Sequence, residues 1–269
     1  MQIATWNVNS IRMRLGHIQQ WLEKNPVDVL CLQETKVMDE QFPQDAFPGY
    51  TCAIAGQKSY NGVAILSKIK PTAISVGFAP ILGAEVIGDL DVQKRLIHIQ
   101  IQSIEIINVY VPNGQSIGSE KYEYKLCWLR ALYQYLSHFT SLKLPVCVCG
   151  DWNIAPTDLD IYNPENKQDH IMASPPERQA FEDFLSLNFQ DSLRRFSQES
   201  EQFTWWDYRA GSFRRNHGWR IDHILISSWL HSRAKNCWID REPRGWEQPS
   251  DHTPVILELD IENIAILLN

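Results

Sequence analysis

PVCVCGDWN, residues 145–153, is a continuous apolar run that ends abruptly in glycine, aspartate and asparagine. A short apolar run without alternation is typical of a strand buried on both faces, as in the parallel part of an α/β sheet. Two preceding segments complete a β-α-β unit: a strand over Ile104–Val111 and a long helix over Glu120–Phe139. The apolar stripe of this helix is formed by Tyr122, Leu126, Leu129 and Leu136. The unit places Asp151 just beyond the carboxyl end of a buried strand, where active sites of α/β sheets collect.

The amino-terminal segment repeats this plan. Gln2–Trp6 alternates as a strand, and Val27–Leu32 is a continuous apolar strand that leads into Gln33 and Glu34. Ser10 is placed to cap the helix between these strands. The apolar face of that helix is formed by Ile11, Leu15, Ile18 and Leu22. Each half therefore presents a carboxylate at the end of a buried strand.

Short strands surround the two β-α-β halves, with the spacing of antiparallel hairpins. Before the second half they are predicted at Tyr50–Ala55, Gly62–Ser67, Ala73–Val76 and Arg95–Gln102. After a helix at Pro176–Leu187 they are predicted near Phe203–Trp206, Ile221–Ile226, Cys237–Ile239 and Thr253–Leu259. This order favours an α/β fold in which two mixed β-sheets pack face to face with helices outside. We expect one domain over residues 1–260, followed by a C-terminal tail at 261–269 that packs on the body.

Composition narrows the class of protein. The hydrophobic fraction of 44% and the charged fraction of 21% are those of a globular chain. No apolar run approaches the roughly 20 residues that span a bilayer, and the first residues lack the basic region of a signal peptide, so we expect a cytoplasmic protein with no membrane partner. The six cysteines lack metal-type spacing and are expected to be reduced thiols. A net charge of −7 argues against a nonspecific nucleic-acid coat protein but not against an enzyme that acts on nucleic acid.

Polar residues follow or open apolar strands in five places. These are residues 6–9, 32–34, 149–153, 218–223 and 249–252. Taken singly, each has a structural explanation: Asn7 and Asn153 can cap turns, and Glu34 can be a solvated loop carboxylate. Their number and their shared position at strand ends favour a common site.

Six segments carry a resemblance to a known family. They read NVNSIR at 7–12, VDVLCLQETK at 27–36, YVPNG at 110–114, GDWNIAPTDLD at 150–160, NHGWRIDHILIS at 216–227 and SDHTPV at 250–255. In this order they resemble the exonuclease III family, the Mg²⁺-dependent apurinic/apyrimidinic endonucleases of the endonuclease/exonuclease/phosphatase superfamily. The resemblance covers residues 2 to 259 and implies a four-layered α/β sandwich of the DNase I type. QE, GDxN and SDH occur throughout the superfamily, whereas GWRID with FTWW upstream at 203–206 favours the DNA-repair branch.

The resemblance implies roles for individual residues. Glu34 is the main ligand of Mg²⁺, for which Mn²⁺ is a substitute. The metal-site residues that it implies are Asn7, Glu34, Asp151, Asn153, Asp251 and His252. The catalytic residues that it implies are Tyr110, Asp151, Asn153, Asp222 and His252. Two assignments of the general base stay open. Asp151 takes the proton of the attacking water, which we favour, or His252 does so while Asp222 fixes its tautomer.

The implied substrate is double-stranded DNA with abasic sites or blocked 3′ ends, and the implied enzyme is a monomer. It hydrolyses the backbone 5′ to the abasic site, with 3′–5′ exonuclease and 3′-end-cleaning activity. The DNA-contact residues that it implies are Arg12, Asn113, Trp205, Arg215, Trp219 and Ile221. Further positive charge is expected to face DNA phosphates from Arg14, Arg194, Arg195, Arg209, Arg214 and Arg220.

Two positions depart from the family pattern, Leu193 before an arginine and Gln115-Ser116 in the loop after YVPNG, and they bear on the balance of activities. The alternatives are another phosphodiesterase of the superfamily, such as a nonspecific DNase or a phosphoinositide or lipid phosphatase, and a DNA-binding scaffold without catalysis.

Overall fold

Twelve strands and seven helices make up the part of the chain that the computed structural model describes, residues 1–165, 167 and 169–261. The strands are β1 (Gln2–Asn7), β2 (Val29–Gln33), β3 (Thr51–Ala55), β4 (Val63–Ser67), β5 (Ala73–Val76), β6 (Leu96–Ile101), β7 (Ile104–Tyr110), β8 (Val146–Asp151), β9 (Phe189–Asp191), β10 (Asp222–Ser227), β11 (Ala234–Ile239) and β12 (Val255–Leu259). The helices are α1 (Ile11–Lys24), α2 (Ala79–Leu82), α3 (Ala84–Ile87), α4 (Glu120–Ser141), α5 (Pro175–Ser186), α6 (Ser192–Phe196) and α7 (Ser228–His231).

Two six-stranded sheets are built on the same plan. The first has the order β11-β12-β1-β2-β4-β3 and the second the order β5-β6-β7-β8-β10-β9. Each contains one parallel pair, β1 with β2 and β7 with β8, and the other neighbours are antiparallel. A parallel pair needs a long crossover, and α1 and α4 supply it. The two predicted β-α-β halves are therefore confirmed.

The apolar residues separate into layers. One buried cluster takes side chains from the inner faces of both sheets, among them Ile3, Val29, Ile106 and Cys147. A second cluster joins the outer face of the second sheet to α4 and α5. A third joins the outer face of the first sheet to α1. The order helix, sheet, sheet, helix confirms the four-layered α/β sandwich.

The start of α1 differs from the prediction. Ser10 stands at the N-cap position with φ 96°, and within the described residues its side chain makes no capping hydrogen bond. The backbone is tied instead to the loop after β2, because the amides of Ser10 and Ile11 donate to the carbonyls of Glu34 (2.8 Å) and Thr35 (3.1 Å). A long-range contact has replaced the local cap, and it fixes the Glu34 loop to α1.

The predicted strand at Phe203–Trp206 is also wrong. The amides of Thr204 and Trp205 both donate to the carbonyl of Trp219 at 2.9 Å, and Trp205 forms isolated bridges to Trp219 and His252. The segment links two loops and does not extend a sheet. The short strand β9 at the edge of the second sheet was not predicted, because three residues carry too little periodicity.

Three further predictions concern the cysteines, membrane-spanning helices and the C-terminal tail. The six cysteines are free thiols, and Cys31, Cys147 and Cys149 are buried as expected. Within the described ranges, none of the helices combines the length and apolarity that a bilayer crossing needs. Residues 262–269, nearly all of the predicted tail, lie outside the described residues.

We predict that Gly150→Ala is strongly destabilising. Gly150 has φ +150°, and a Cβ there would lie 1.9 Å from the carbonyl oxygen of Val109 in the neighbouring strand β7. The backbones of two central strands would have to separate, which should cost about 3 kcal/mol and lower the melting temperature by about 5–10 °C. Thermal unfolding followed by circular dichroism measures the shift.

Gly16→Ala is the matched control, since Gly16 lies inside α1 with open space where its Cβ would be. This substitution should stabilise the protein by about 0.5–1 kcal/mol through helix propensity. Equal melting temperatures for the two variants would contradict the close-approach explanation of Gly150.

Candidate active site

Strand register brings the predicted catalytic residues together at one end of both sheets. Asn7 and Gln33 are paired at the carboxyl ends of β1 and β2. In the second sheet Asp151 lies between Tyr110 on β7 and Asp222 on β10. Because the parallel strands all end at this edge, the side chains that follow them converge.

Buried side-chain amides connect the two sheets at this edge. Asn7 Nδ2 donates to Glu34 Oε1 and to Asp151 Oδ2, each at 2.9 Å. Directly beneath, Gln33 Nε2 donates to Asn108 Oδ1 at 2.7 Å, which makes a second contact between the sheets. The metal-site candidates Glu34 and Asp151 are therefore held at a set separation by one side chain.

A second group is centred on His252. Its Nδ1 donates to Asp222 Oδ2 at 2.9 Å, and its Nε2 lies 3.8 Å from Asp151 Oδ2. Asp222 is anchored through its own amide, which donates to Thr204 Oγ1 at 3.1 Å. Ser250 Oγ accepts from the amide of His252 at 3.2 Å and donates to the carbonyl of Asn7 at 2.7 Å. Thr204 and Ser250 thus position the site, although sequence reasoning had given neither of them a role.

Burial and charge shift the pKa of the two groups that face each other. Burial, together with the nearby Asp222 carboxylate, raises the pKa of Asp151 to about 7, although His252 opposes the shift. For His252 burial favours the neutral ring, but the carboxylates of Asp222 and Asp151 outweigh it and raise the pKa to about 10. At neutral pH the metal-free site therefore holds an imidazolium beside a carboxyl group poised to exchange a proton.

Glu34 has a cationic neighbour that the sequence analysis did not single out. Burial works against its charged form, but Lys36 Nζ, 2.7 Å from Glu34 Oε2, and the Asn7 hydrogen bond together lower the pKa of Glu34. Burial, reinforced by the Glu34 carboxylate, raises the pKa of Tyr110 well above its usual value. Glu34 is thus an anion ready to bind a cation, and Tyr110 stays a protonated hydrogen-bond donor.

The donor set suits a hard divalent cation. Asn7 joins the carboxylates of Glu34 and Asp151, and carboxylate oxygens are the donors that Mg²⁺ and Mn²⁺ prefer. Carboxylate and imidazole atoms of Asp151, Asp222 and His252 lie within 4.8 Å of one another beside them, but the protonated His252 ring is held by Asp222 and offers no lone pair.

The other predicted metal-site residues lie at the edge of this group. Asp251 accepts from Asn9 Nδ2 at 3.0 Å and from Trp205 Nε1 at 2.9 Å. Asn153 donates through Nδ2 to the carbonyl of Val111 at 3.0 Å. Both residues therefore have their side chains engaged by protein partners.

An apolar cluster lies beside His252. Trp219 and Ile221 are buried in it, and the partly buried Trp205 packs against it. The other buried members are Ala155, Ile161, Met172 and Ala173. Three of the predicted DNA-contact residues, Trp205, Trp219 and Ile221, thus lie together, next to the titratable groups, through the bridge between Trp205 and His252. Trp152 and Trp206 are fully buried in the core.

The predicted DNA-contact residues that are polar lie in different settings. Arg12 and Arg215 are exposed, and Asn113 Nδ2 donates to Asn153 Oδ1 at 3.0 Å within the site. Arg220 is a correction: it is 1% exposed and pairs with Asp160 (2.7 Å) and Asp191 (2.8 Å). The sequence predicts that Arg220 faces DNA phosphates, because the stretch of sequence around it is basic. Its acidic partners, Asp160 and Asp191, are remote in sequence.

Known proteins resemble this chain over nearly its whole length. A family model, the endonuclease/exonuclease/phosphatase family, matches residues 4–252, and the chain belongs to that family. Exodeoxyribonuclease III of Haemophilus influenzae is 35% identical over 96% of this chain and 99% of its own length.

Two solved structures, each 40% identical over 97% of this chain and 100% of theirs, share the fold. They are an AP endonuclease from Archaeoglobus fulgidus (TM-score 0.91) and a 3′ phosphatase from Neisseria bound to a product DNA hairpin (TM-score 0.90). The family predicted from the motifs is confirmed.

We predict that Asp222→Asn lowers the pKa of His252 in the metal-free protein. The Asp222 carboxylate is the foremost group that stabilises the imidazolium, and an amide cannot replace its charge. Titration of the His252 ring by NMR should show the pKa falling from about 10 toward the ordinary histidine range. The exposed Asp183→Asn variant should leave it unchanged, and an unaltered pKa in Asp222→Asn would contradict the pairing.

Proposed function

We propose that this protein is a DNA-repair phosphodiesterase that cuts the DNA backbone 5′ to abasic sites and also trims and cleans 3′ ends. The observation that carries the proposal is the convergence of Glu34, Asp151, Asp222 and His252 beside the apolar cluster of Trp219. Titratable groups of this kind suit hydrolysis of a phosphate diester, and the cluster suits a sugar that has lost its base. Residues 1–260 form the single catalytic domain, and the protein acts as a cytoplasmic monomer.

Hydrolysis requires charge neutralisation at the phosphate and an aligned water. Glu34 is the main ligand for Mg²⁺, or Mn²⁺ in its place, with Asp151 and Asn7 completing the protein's contribution. The cation, when bound, polarises the phosphoryl oxygens. Asp151 takes the proton of the attacking water.

His252 binds the phosphate in this scheme. As an imidazolium it has no free ring lone pair for a metal, so while protonated it donates to a phosphoryl oxygen and is held by Asp222. Tyr110 and Asn153 donate hydrogen bonds to the developing charge or the leaving oxygen. Asp251 fixes Trp205 beside the sugar and supports the metal site from a distance.

Substrate selection follows from the surface around this centre. Trp205, Trp219 and Ile221 form a small apolar slot for the abasic sugar, which a complete nucleotide would not fit. Arg12, Asn113 and Arg215 contact the phosphates of duplex DNA. Relatives named as an AP endonuclease and as a 3′ phosphatase bound to a DNA hairpin support both parts of the proposed activity.

The first test uses duplex DNA that carries one abasic analogue, incubated with the protein and either Mg²⁺ or EDTA. We expect incision on the 5′ side of the analogue with Mg²⁺ and none with EDTA, since the carboxylates need a cation to bind the anionic phosphate. Equal cutting of undamaged duplex would identify a nonspecific nuclease, and binding without incision would identify a scaffold. A 3′-phosphorylated duplex in parallel measures end cleaning.

The second test is Asp151→Asn. The amide cannot accept the proton of the water, so turnover should fall by about 10²–10⁴-fold or more while binding of abasic DNA survives. Single-turnover cleavage and fluorescence anisotropy measure the two quantities. Asp45→Asn, an exposed carboxylate, is the control with the same change in charge. Near wild-type cleavage by Asp151→Asn would remove Asp151 from the mechanism.

A further inference from the structure

Lys125, on α4, is a fully buried lysine that points into the back of the active site. Its ammonium donates to the carbonyls of Asn153 (2.7 Å) and Asn113 (3.2 Å), and to the carboxylate of Glu177. Both members of the pair are 0% exposed at the side chain. A buried ion pair is costly unless the remaining hydrogen-bonding positions of both groups are filled, and here they are filled by the backbone of functional loops.

Glu177 makes the corresponding contacts on the other side. Its Oε1 accepts from the amide of Met172 at 3.0 Å, and its Oε2 accepts from the amide (3.0 Å) and hydroxyl (2.6 Å) of Ser174. Met172 in turn accepts from the amide of Ala155 at 2.7 Å. The carboxylate therefore holds the 172–174 loop against the segment that carries Asn153.

The two loops serve different parts of the site. Asn113 and Asn153 are linked to each other at 3.0 Å, and the amide of Asn153 donates to Asp151 Oδ1 at 3.0 Å. Met172 and Ala173 belong to the apolar cluster with Trp219 and Ile221. One ion pair thus connects the backbone beside the phosphate to the wall of the sugar slot.

Both anchored loops contain strained backbone. Asn153 has φ 50° and Met172 has φ 73°, and neither is glycine. Residues in this region persist only when surrounding contacts over-determine them. Lys125 bonds the carbonyl of Asn153, and Glu177 bonds the amide of Met172, so the pair contacts the backbone of both residues.

We propose that Lys125 and Glu177 are positioning residues that hold the side-chain amides of Asn113 and Asn153 and the Met172–Ala173 wall of the sugar slot in one arrangement. The inference rests on the proposed function for what the arrangement serves. Neither residue touches the reacting atoms. Their effect is to preset the geometry, and misplacement of about 1 Å is enough to cost about 10²-fold in rate.

The test is the double variant Lys125→Met/Glu177→Gln, which removes both charges together and so avoids leaving one buried without a partner. We expect kcat for abasic incision to fall roughly 10–100-fold with a smaller change in KM. The rate of 3′-phosphate removal should fall less, because that reaction uses the asparagine amides but depends less on the sugar slot. Hydrogen exchange should increase at residues 113–114, 153–155 and 172–174 while the rest of the body keeps its protection.

The control is His98→Gln/Glu105→Gln, a second buried pair with a 2.6 Å contact between β6 and β7 of the second sheet. Glu105 precedes Tyr110 on β7 by five residues, about 17 Å along the strand. This variant should lower the melting temperature and leave kcat per folded molecule unchanged. Glu177→Asp, which keeps both charges and shortens one side chain, should show the same pattern as the double variant to a smaller degree, and it serves if the double variant folds poorly.

Two results would overturn the inference. The first is a kcat within twofold of wild type in the double variant, or in Glu177→Asp if the double variant folds poorly. The other is hydrogen exchange that rises uniformly over the protein, which identifies a purely structural pair. An inactive wild type would refute the proposed function instead, and the exchange pattern would still decide whether the pair holds these loops.

Discussion

The site depends on one buried amide. Asn7 Nδ2 has two hydrogens, and it gives one to Glu34 on the first sheet and the other to Asp151 on the second. Two carboxylates from different sheets are thereby brought to the same side chain, at a place where burial alone would drive them toward protonation or apart. The backbone amide of Asn9 donates to Asn7 Oδ1 at 3.0 Å, and this bond keeps the side-chain amide from turning. The hydrogen bonds that join the two sheets therefore also position the carboxylates of the site.

At the edge of the two sheets where the site lies, carboxylates outnumber the cationic groups in contact with them. Glu34, Asp151, Asp222 and Asp251 contribute carboxylates, while Lys36 and His252 are the cations in contact with them. The protein compensates with hydrogen bonds from Asn7, Asn9 and Trp205, which stabilise anions without adding positive charge. A divalent cation would offset the excess negative charge of such a site, and an anionic substrate would then bind to that cation. This order fits the proposed phosphodiester chemistry.

The local sequence pattern predicted the central strands and the long helices well. The continuous apolar strands, the two long helices and the carboxylates at strand ends follow from periodicity and from the geometry of parallel sheets. Ser10 and Phe203–Trp206 failed because their hydrogen bonds go to residues far away in sequence, so local preference was overruled. The prediction for Arg220 was wrong for a related reason: the charge of a residue is visible in the sequence, but the buried carboxylate that pairs with it is not. The pairing of Lys125 with Glu177 could not be predicted on the same ground.

Several residues of the loops around the site have a left-handed backbone, as residues in other turns of the chain also do. Asn9, Glu34, Lys36, Asn153 and Met172 all have φ between 46° and 73°. Asparagine tolerates this region, but glutamate, lysine and methionine do so at a cost, and glycine would be easier at each position. Glycine could not provide the carboxylate of Glu34, the ammonium of Lys36 or the apolar side chain of Met172. Tertiary hydrogen bonds compensate for the backbone cost: the amide of Ser10 donates to the carbonyl of Glu34, and the Lys125–Glu177 pair bonds the carbonyl of Asn153 and the amide of Met172. The contacts just behind these loops therefore act together with the packing of the two sheets in holding the side chains of the site in place.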